Sequence, residues 1–444
     1  MPASPLDSAL FAGLFGDAEL AESFTDAAML RAMLQVEAAL AAAQAAEGLI
    51  PADAAAEIAT AVTTAQIDPA ALAADTGRDG VPVPALLAAL RQGLSPVAAD
   101  WLHWGATSQD IVDTALMLRL REALALITGR LVTLAGALGD LAAAHAATPM
   151  AARSYGQVAV PTSFGAMVAG WGWPLLTHAE RLQELRPRLL RASLGGAAGT
   201  LAMMGERGPA VRARMAATLG LADPGHNWHS QRDGIAALAG WACGLSVALG
   251  RIGEDIWLMA QSGLDEVRLP GGSSSTMPQK SNPVLPALLV ALARATVALD
   301  GGLQGAALHR QSRDGAAWFT EWLLLPQLLL GTGRGLLAAQ EVVAGLTPDP
   351  ARMAANLTGD LGLIHAEALV FGLARRMPRH AAQETVAALC AEARATAVPL
   401  PQLAAAHFPD LPSPEAALGE APAEAQRFTA AASALRAGSP RDTG

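Results

Sequence analysis

Five long stretches rich in Ala, Leu and Val dominate this 444-residue chain, at about 107–145, 158–191, 232–262, 284–308 and 318–345. Alanine and leucine are strong helix formers, and runs of this length exceed any ordinary strand. Several are apolar nearly all round, so each predicts a helix buried on most faces, and together they predict a bundle. Hydrophobic residues make up 52% of the chain and aromatic ones only 4%, leaving a core of small and medium aliphatic side chains rather than that of a β-sandwich. The predicted fold class is all-α.

The first long stretch opens on Thr107-Ser-Gln-Asp110, which has the form of a capping box. Before it, from Leu10 to about Leu102, the pattern is of short amphipathic helices broken at Pro51, Pro69, Pro82 and Pro84. Beyond Pro348 and Pro350 it shortens again, with helices near 351–376 and 380–396. A Pro/Ala-rich tail from Pro399 reads as a frayed terminus. The expected organisation is an N-terminal helical domain over 1–103, a central helical bundle over 104–346 and a C-terminal helical domain over 347–444.

Charged residues are 16% of the chain, too few to solvate the surface of an isolated globule of this size, so apolar helix surface is expected to be buried against other subunits. A net charge of −10 argues against nucleic acid or an anionic membrane as partner, and any anionic substrate must be met by a local basic pocket. Cys243 and Cys390 sit in helix-like apolar sequence with no metal-ligand or disulfide spacing. No basic, apolar secretion leader begins the chain, and a reducing cytoplasm is the expected location. Two uncharged stretches, Ser154 to Ala179 and Gly234 to Gly250, read as buried core: the first contains Pro161, Pro174 and Gln157, and the second is shorter than the roughly 20 residues a span needs.

Lys280 is the only lysine in the chain, in a background that otherwise uses arginine. It lies in Gly271-Gly-Ser-Ser-Ser-Thr-Met-Pro-Gln-Lys-Ser-Asn-Pro283, which holds two glycines, five hydroxyls and two prolines in thirteen residues. Such a run predicts an ordered but mobile loop, and its serines and single compact ammonium suit a lid over an anionic substrate. A serine becomes a useful proton carrier only if its pKa is lowered, and a nearby cation is one means.

Ser274, Ser275, Met277, Pro278, Lys280, Asn282 and Pro283 match the Ser-Ser-x-Met-Pro-x-Lys-x-Asn-Pro loop of the fumarase/aspartase superfamily, and the chain resembles that superfamily over most of its length. The resemblance implies a three-part, all-helical fold whose central helices assemble from four subunits, with composite active sites and no cofactor. It also implies that the first serine of the pair, Ser274, moves a proton at the carbon beside a carboxylate. Ser273 stands where the family pattern has glycine, which leaves Ser273 and Ser275 as alternatives.

Other segments extend the resemblance. His103-Trp-Gly-Ala-Thr-Ser-Gln-Asp110 is similar to the family's His-x-Gly-x-Thr-Ser-x-Asp, in which Thr107 and Ser108, at a helix start, would hold a substrate carboxylate; Thr107 and Asp110 also suit a simple cap. Arg153-Ser-Tyr-Gly-Gln157 stands where amine-releasing relatives have Arg-Thr-His-x-Gln, so Arg153 and Gln157 match binding positions and Tyr155 replaces the histidine that assists the leaving nitrogen. An expelled amine needs a proton, whereas a carboxylate, whose conjugate acid ordinarily titrates at roughly pH 4, leaves without one. Tyr155 also has a packing reading.

Trp228-His-Ser-Gln-Arg-Asp233 and Trp318-Phe-Thr-Glu-Trp322 resemble bacterial 3-carboxy-cis,cis-muconate cycloisomerases. Gln231 matches a substrate-binding glutamine, and His229 is either a proton carrier or a structural histidine. Arg313, in Ser312-Arg-Asp314, matches an arginine that grips a substrate carboxylate. The expected function is an intramolecular lyase in which an internal carboxylate adds to a double bond. The alternatives are an amine-releasing lyase of a succinyl adduct and a non-catalytic helical oligomer. No phosphate loop or metal triad is evident in the sequence.

Overall fold

The computed structural model describes residues 4–273, 277, 280–411 and 418–438. The chain divides into two compact units. One comprises Met1–Arg130, His178–Val247 and Leu292–Gly335; the other comprises Leu131–Thr177, Ala248–Ala291 and Leu336–Gly444. The long helices are α1 (Ser108–Ala144), α2 (Phe164–Leu189), α3 (Asp233–Met259), α4 (Val284–Ala306) and α5 (Gly315–Gly345). Four of them follow the apolar stretches to within a few residues, as Ala/Leu propensity predicts.

The second stretch departs from expectation. Pro149–Ser154 (β1) and Gln157–Ser163 (β2) pair antiparallel, and helix begins only at Phe164. Val158 and Val160 favour extended backbone, and Pro161 lacks a donor for a helix interior. Tyr155 and Gly156, at φ 54 and 73, form a two-residue turn with both central residues left-handed, whose twist matches the strands it joins. Ser163 then caps α2, its Oγ accepting from Ala166 N at 3.1 Å.

In the first unit the helix Asp26–Ala46 starts on a Thr25 cap and packs against Ala52–Thr64 and Gly208–Leu219. Every residue of α1 from Gln109 to Leu118 is buried, including Asp110, Asp113 and Thr114. α1, α3, α4 and α5 are long and apolar enough to cross a membrane by length and composition alone. In α1 and α5, however, buried Asp113 and Glu321 are ion-paired inside the protein, as core helices require.

In the second unit Ala366–Leu373, Arg379–Thr396 and Leu400–His407 enclose a small core of Leu369, Leu373, Val386, Leu389 and Leu400. The tail read as frayed contains an 18-residue helix, Ala421–Gly438. Phe428 anchors it, fully buried, with its ring 5.6 Å from that of Trp173. Gly172 makes the room: a Cβ there would lie 1.9 Å from the Phe428 ring. An Ala-rich stretch is a good helix former once one aromatic side chain finds a socket, and the socket is formed by residues distant in sequence.

Candidate active site

Three helix starts converge in the first unit, and the contacts begin at Asp110. Its carboxylate, buried, accepts from Thr107 N at 3.0 Å, Gly195 N at 2.7 Å, Gly196 N at 2.9 Å and His229 Nε2 at 2.7 Å. The Thr107 contact is half of the expected capping box. Gly196 adopts φ 68, a conformation that lets consecutive N–H groups meet one carboxylate. His229 is buried with its Nε2 committed to Asp110, and its Nδ1 has no partner among the described residues.

One turn along α1, Asp113 pairs with Arg232, whose Nη1 donates at 2.7 Å. Arg232 also donates to Glu321 through Nε at 2.8 Å and Nη2 at 2.5 Å, and Trp318 Nε1 donates to Asp113 at 3.0 Å. Both ion pairs are essentially without solvent exposure. Burial acts to lower the Arg232 pKa, but Asp113 and Glu321 outweigh it and hold the guanidinium charged. Burial raises the Glu321 carboxyl, with Arg232 opposing. These charges fix the starts of α1, α3 and α5 on one another. Breaking one such pair from a single side costs about 3–5 kcal/mol.

Above this buried layer lies an accessible one. Arg313 is exposed and precedes Asp314, which caps α5 by accepting from Ala316 N at 3.0 Å. The Arg313 guanidinium donates through Nε to Gln109 Oε1 at 2.9 Å and through Nη2 to Thr107 Oγ1 at 3.0 Å. Gln109 is itself held by His229 O at 2.9 Å. Nη1 has no hydrogen bond to any described residue, so the guanidinium is oriented on one edge and available on the other. Ser108 is half-buried at the first turn of α1, and exposed Gln231 accepts through Oε1 from His226 Nε2 at 2.9 Å. The buried carboxylates outnumber the buried arginine, but their donors face inward. Attraction for an anion therefore falls to Arg313 and the N–H groups of the helix starts.

The structure thus brings Thr107, Ser108, Gln231, His229 and Arg313 into one unit. Arg153, Tyr155, Gln157, Lys280 and Asn282 belong to the other. There, Arg153 makes a bidentate pair with buried Glu266, at 2.9 and 2.8 Å, and Asn356 Nδ2 donates to the same carboxylate at 2.9 Å. Arg153 and Gln157 line a cleft of about 1030 Å³ together with Arg352 and Asn356. Tyr155 is fully exposed at the hairpin turn. The loop carrying Lys280 is closed at its neck by antiparallel pairing of Gly272 with Asn282 and Ser273 with Ser281. Lys280 is exposed, and its N–H donates to Met277 O at 3.0 Å. Ser274 and Ser275 lie outside the described residues.

Asp113, Arg232 and Glu321 have no role in the sequence reading, and Asp110 has only that of a helix cap. A signal existed: in a chain only 16% charged, an Asp flanked by Val112 and Thr114 inside an apolar run needs a buried partner.

A mainly helical chain whose anion-facing residues gather at helix starts defines a class, and a family model described as lyase matches residues 17–297. The chain belongs to this lyase family, the fumarase/aspartase superfamily that its loop motif resembles. Among its relatives, the 3-carboxy-cis,cis-muconate cycloisomerase of Pseudomonas aeruginosa is 38% identical over 391 residues, 86% of this chain and 85% of that protein. Nitrosuccinate lyase of Streptomyces davaonensis is 36% identical over 380 residues, covering 82% and 80%. The crystal structure of the 3-carboxy-cis,cis-muconate lactonizing enzyme from Pseudomonas putida matches with a TM-score of 0.89 at 36% identity, over 96% of this chain and 100% of that one.

Proposed function

We propose that the protein is a 3-carboxy-cis,cis-muconate cycloisomerase, forming 4-carboxymuconolactone in the protocatechuate branch of the β-ketoadipate pathway. It would act as a cytoplasmic homotetramer with sites shared between subunits. The observation that carries this reading is the Arg313 guanidinium held at 3.0 Å on Thr107 at the start of α1, an arrangement suited to one substrate carboxylate. Likeness to cycloisomerases over most of the chain and Tyr155 in place of an amine-protonating histidine support the same substrate class.

In the proposed reaction one carboxylate oxygen of the substrate adds to a ring-closing carbon of its own diene. The electron pair released moves onto the adjacent carbon and into the neighbouring carboxylate. Ser274, or water it positions, supplies the proton to that carbon, so the product is an isomer of the substrate. Arg313, Thr107, Ser108, Gln231 and Asn282 would orient the carboxylates, and Lys280 would stabilise the deprotonated serine. Arg153, Gln157, His229 and Tyr155 complete the proposed set, with Arg153 acting through its Glu266 pair.

Purified protein given 3-carboxy-cis,cis-muconate should abolish its conjugated-diene absorbance, and Ser274→Ala should slow this by roughly 10²–10⁴-fold. An unchanged absorbance would overturn the substrate assignment. The nearly equal identity to nitrosuccinate lyase favours one second reading, elimination from a nitrogen-substituted succinate. Fumarate release from such substrates, with the diene untouched, would establish it instead.

A further inference from the structure

A cavity of about 190 Å³ lies beside α1 and α5 in the first unit. Its walls are mostly apolar, with Phe24, Leu116, Trp322 and Pro326 among them, and two charged residues, Arg119 and Glu321, reach it. The two differ in kind. Both oxygens of Glu321 are occupied by Arg232, at 2.8 and 2.5 Å. Arg119 has no hydrogen bond or ion pair with any described residue, and its Nε is shielded from solvent.

Burial lowers the Arg119 pKa to about 10, which leaves it a cation near neutral pH. Arg119 is half-buried, and a charge partly withdrawn from water without a counter-charge of its own is disfavoured, so folded proteins tend to pair such groups. The one carboxylate on the wall, Glu321, is already paired with Arg232, so an anionic occupant would give Arg119 a partner of its own. An apolar cavity of about 150 Å³ admits benzene, so this one has room for a ring and a carboxylate. With one cation that lacks a partner among the described residues, apolar walls and the Glu321 carboxylate on the same wall to disfavour a second negative charge, the chemistry favours a monocarboxylate over a polycarboxylate.

We propose that this cavity binds a small aromatic monocarboxylate, its ring among Phe24, Leu116 and Trp322 and its carboxylate paired with Arg119. The site is separate from the layer of Thr107 and Arg313, and it stands whether or not the proposed reaction is correct.

Benzoate titrated into the full-length protein by calorimetry, up to about 10 mM, is the test. Saturable binding is expected, with benzyl alcohol, the neutral isostere, at least about tenfold weaker. Arg119→Met should weaken benzoate by about tenfold or more, and Arg313→Ala should leave it within about twofold. Leu116→Phe, which fills the cavity and keeps the cation, should also abolish binding and decides the matter if Arg119→Met does not fold. No saturable binding, equal binding of benzyl alcohol, binding insensitive to filling the cavity, or loss on Arg313→Ala with Arg119→Met unaffected would each overturn the proposal.

Discussion

Arg313 has two jobs that a single substitution separates. Its Nε and Nη2 grip Gln109 and Thr107 at 2.9 and 3.0 Å, a forked contact that lysine cannot reproduce. Arg313→Lys keeps the charge, so KM for the carboxylate substrate is expected to rise by about tenfold while thermal stability stays near wild type. Initial-rate kinetics and a melting curve check this; an unchanged KM removes Arg313 from the binding set. A second residue-scale prediction concerns His103, whose Nδ1 lies 2.7 Å from Glu37, a carboxylate without solvent exposure. Burial lowers the His103 pKa, but the charge and hydrogen bond of Glu37, aided by Asp110, raise it above 6.5 overall. A raised histidine pKa contributes stability that is fully present below the unfolded value and fades as pH climbs through the folded one. The stability gap between wild type and His103→Gln in denaturant titrations should therefore shrink as pH rises above about 6.5. A gap that grows with pH would contradict the pairing.

At the scale of elements, the long helices were legible because length and Ala/Leu content reach the same answer without tertiary help. The hairpin Pro149–Ser163 was not, because a short apolar strand and a buried helix turn look alike in hydrophobicity. Val158, Val160 and the Tyr155-Gly156 turn carried the distinguishing information. The helix Ala421–Gly438 was missed for another reason: its stability depends on Phe428 entering the space left by Gly172. Gly172→Ala should therefore lower the melting temperature and release that helix, detectable as faster amide exchange over 421–438 with exchange at the start of α1 unchanged. Retained protection of 421–438 would show that the ring can move aside.

For the whole molecule, the low charge content has a structural counterpart in Val297, Val247 and Leu323, which are 52%, 48% and 66% exposed on long helices. Water contact with such groups is unfavourable by about 25 cal/mol per Å², which supports the proposed assembly. Sedimentation should give a mass of four times 45.3 kDa, and Leu323→Glu should reduce it. A monomeric native protein would end the tetramer proposal and, with it, the shared site.

The sequence by itself determined the helical class, the superfamily and the identity of the candidate residues, since these depend on local propensity and on short motifs read in order. Tertiary structure alone decided which of those residues meet. It set Arg313 on Thr107, gave Arg153 to Glu266, buried His229 against Asp110, and assembled Asp113, Arg232 and Glu321 into one ionic layer. The reason is physical: a charge removed from water must find its partner through space, and separations of 89 to 206 residues along the chain leave no periodic trace of that pairing.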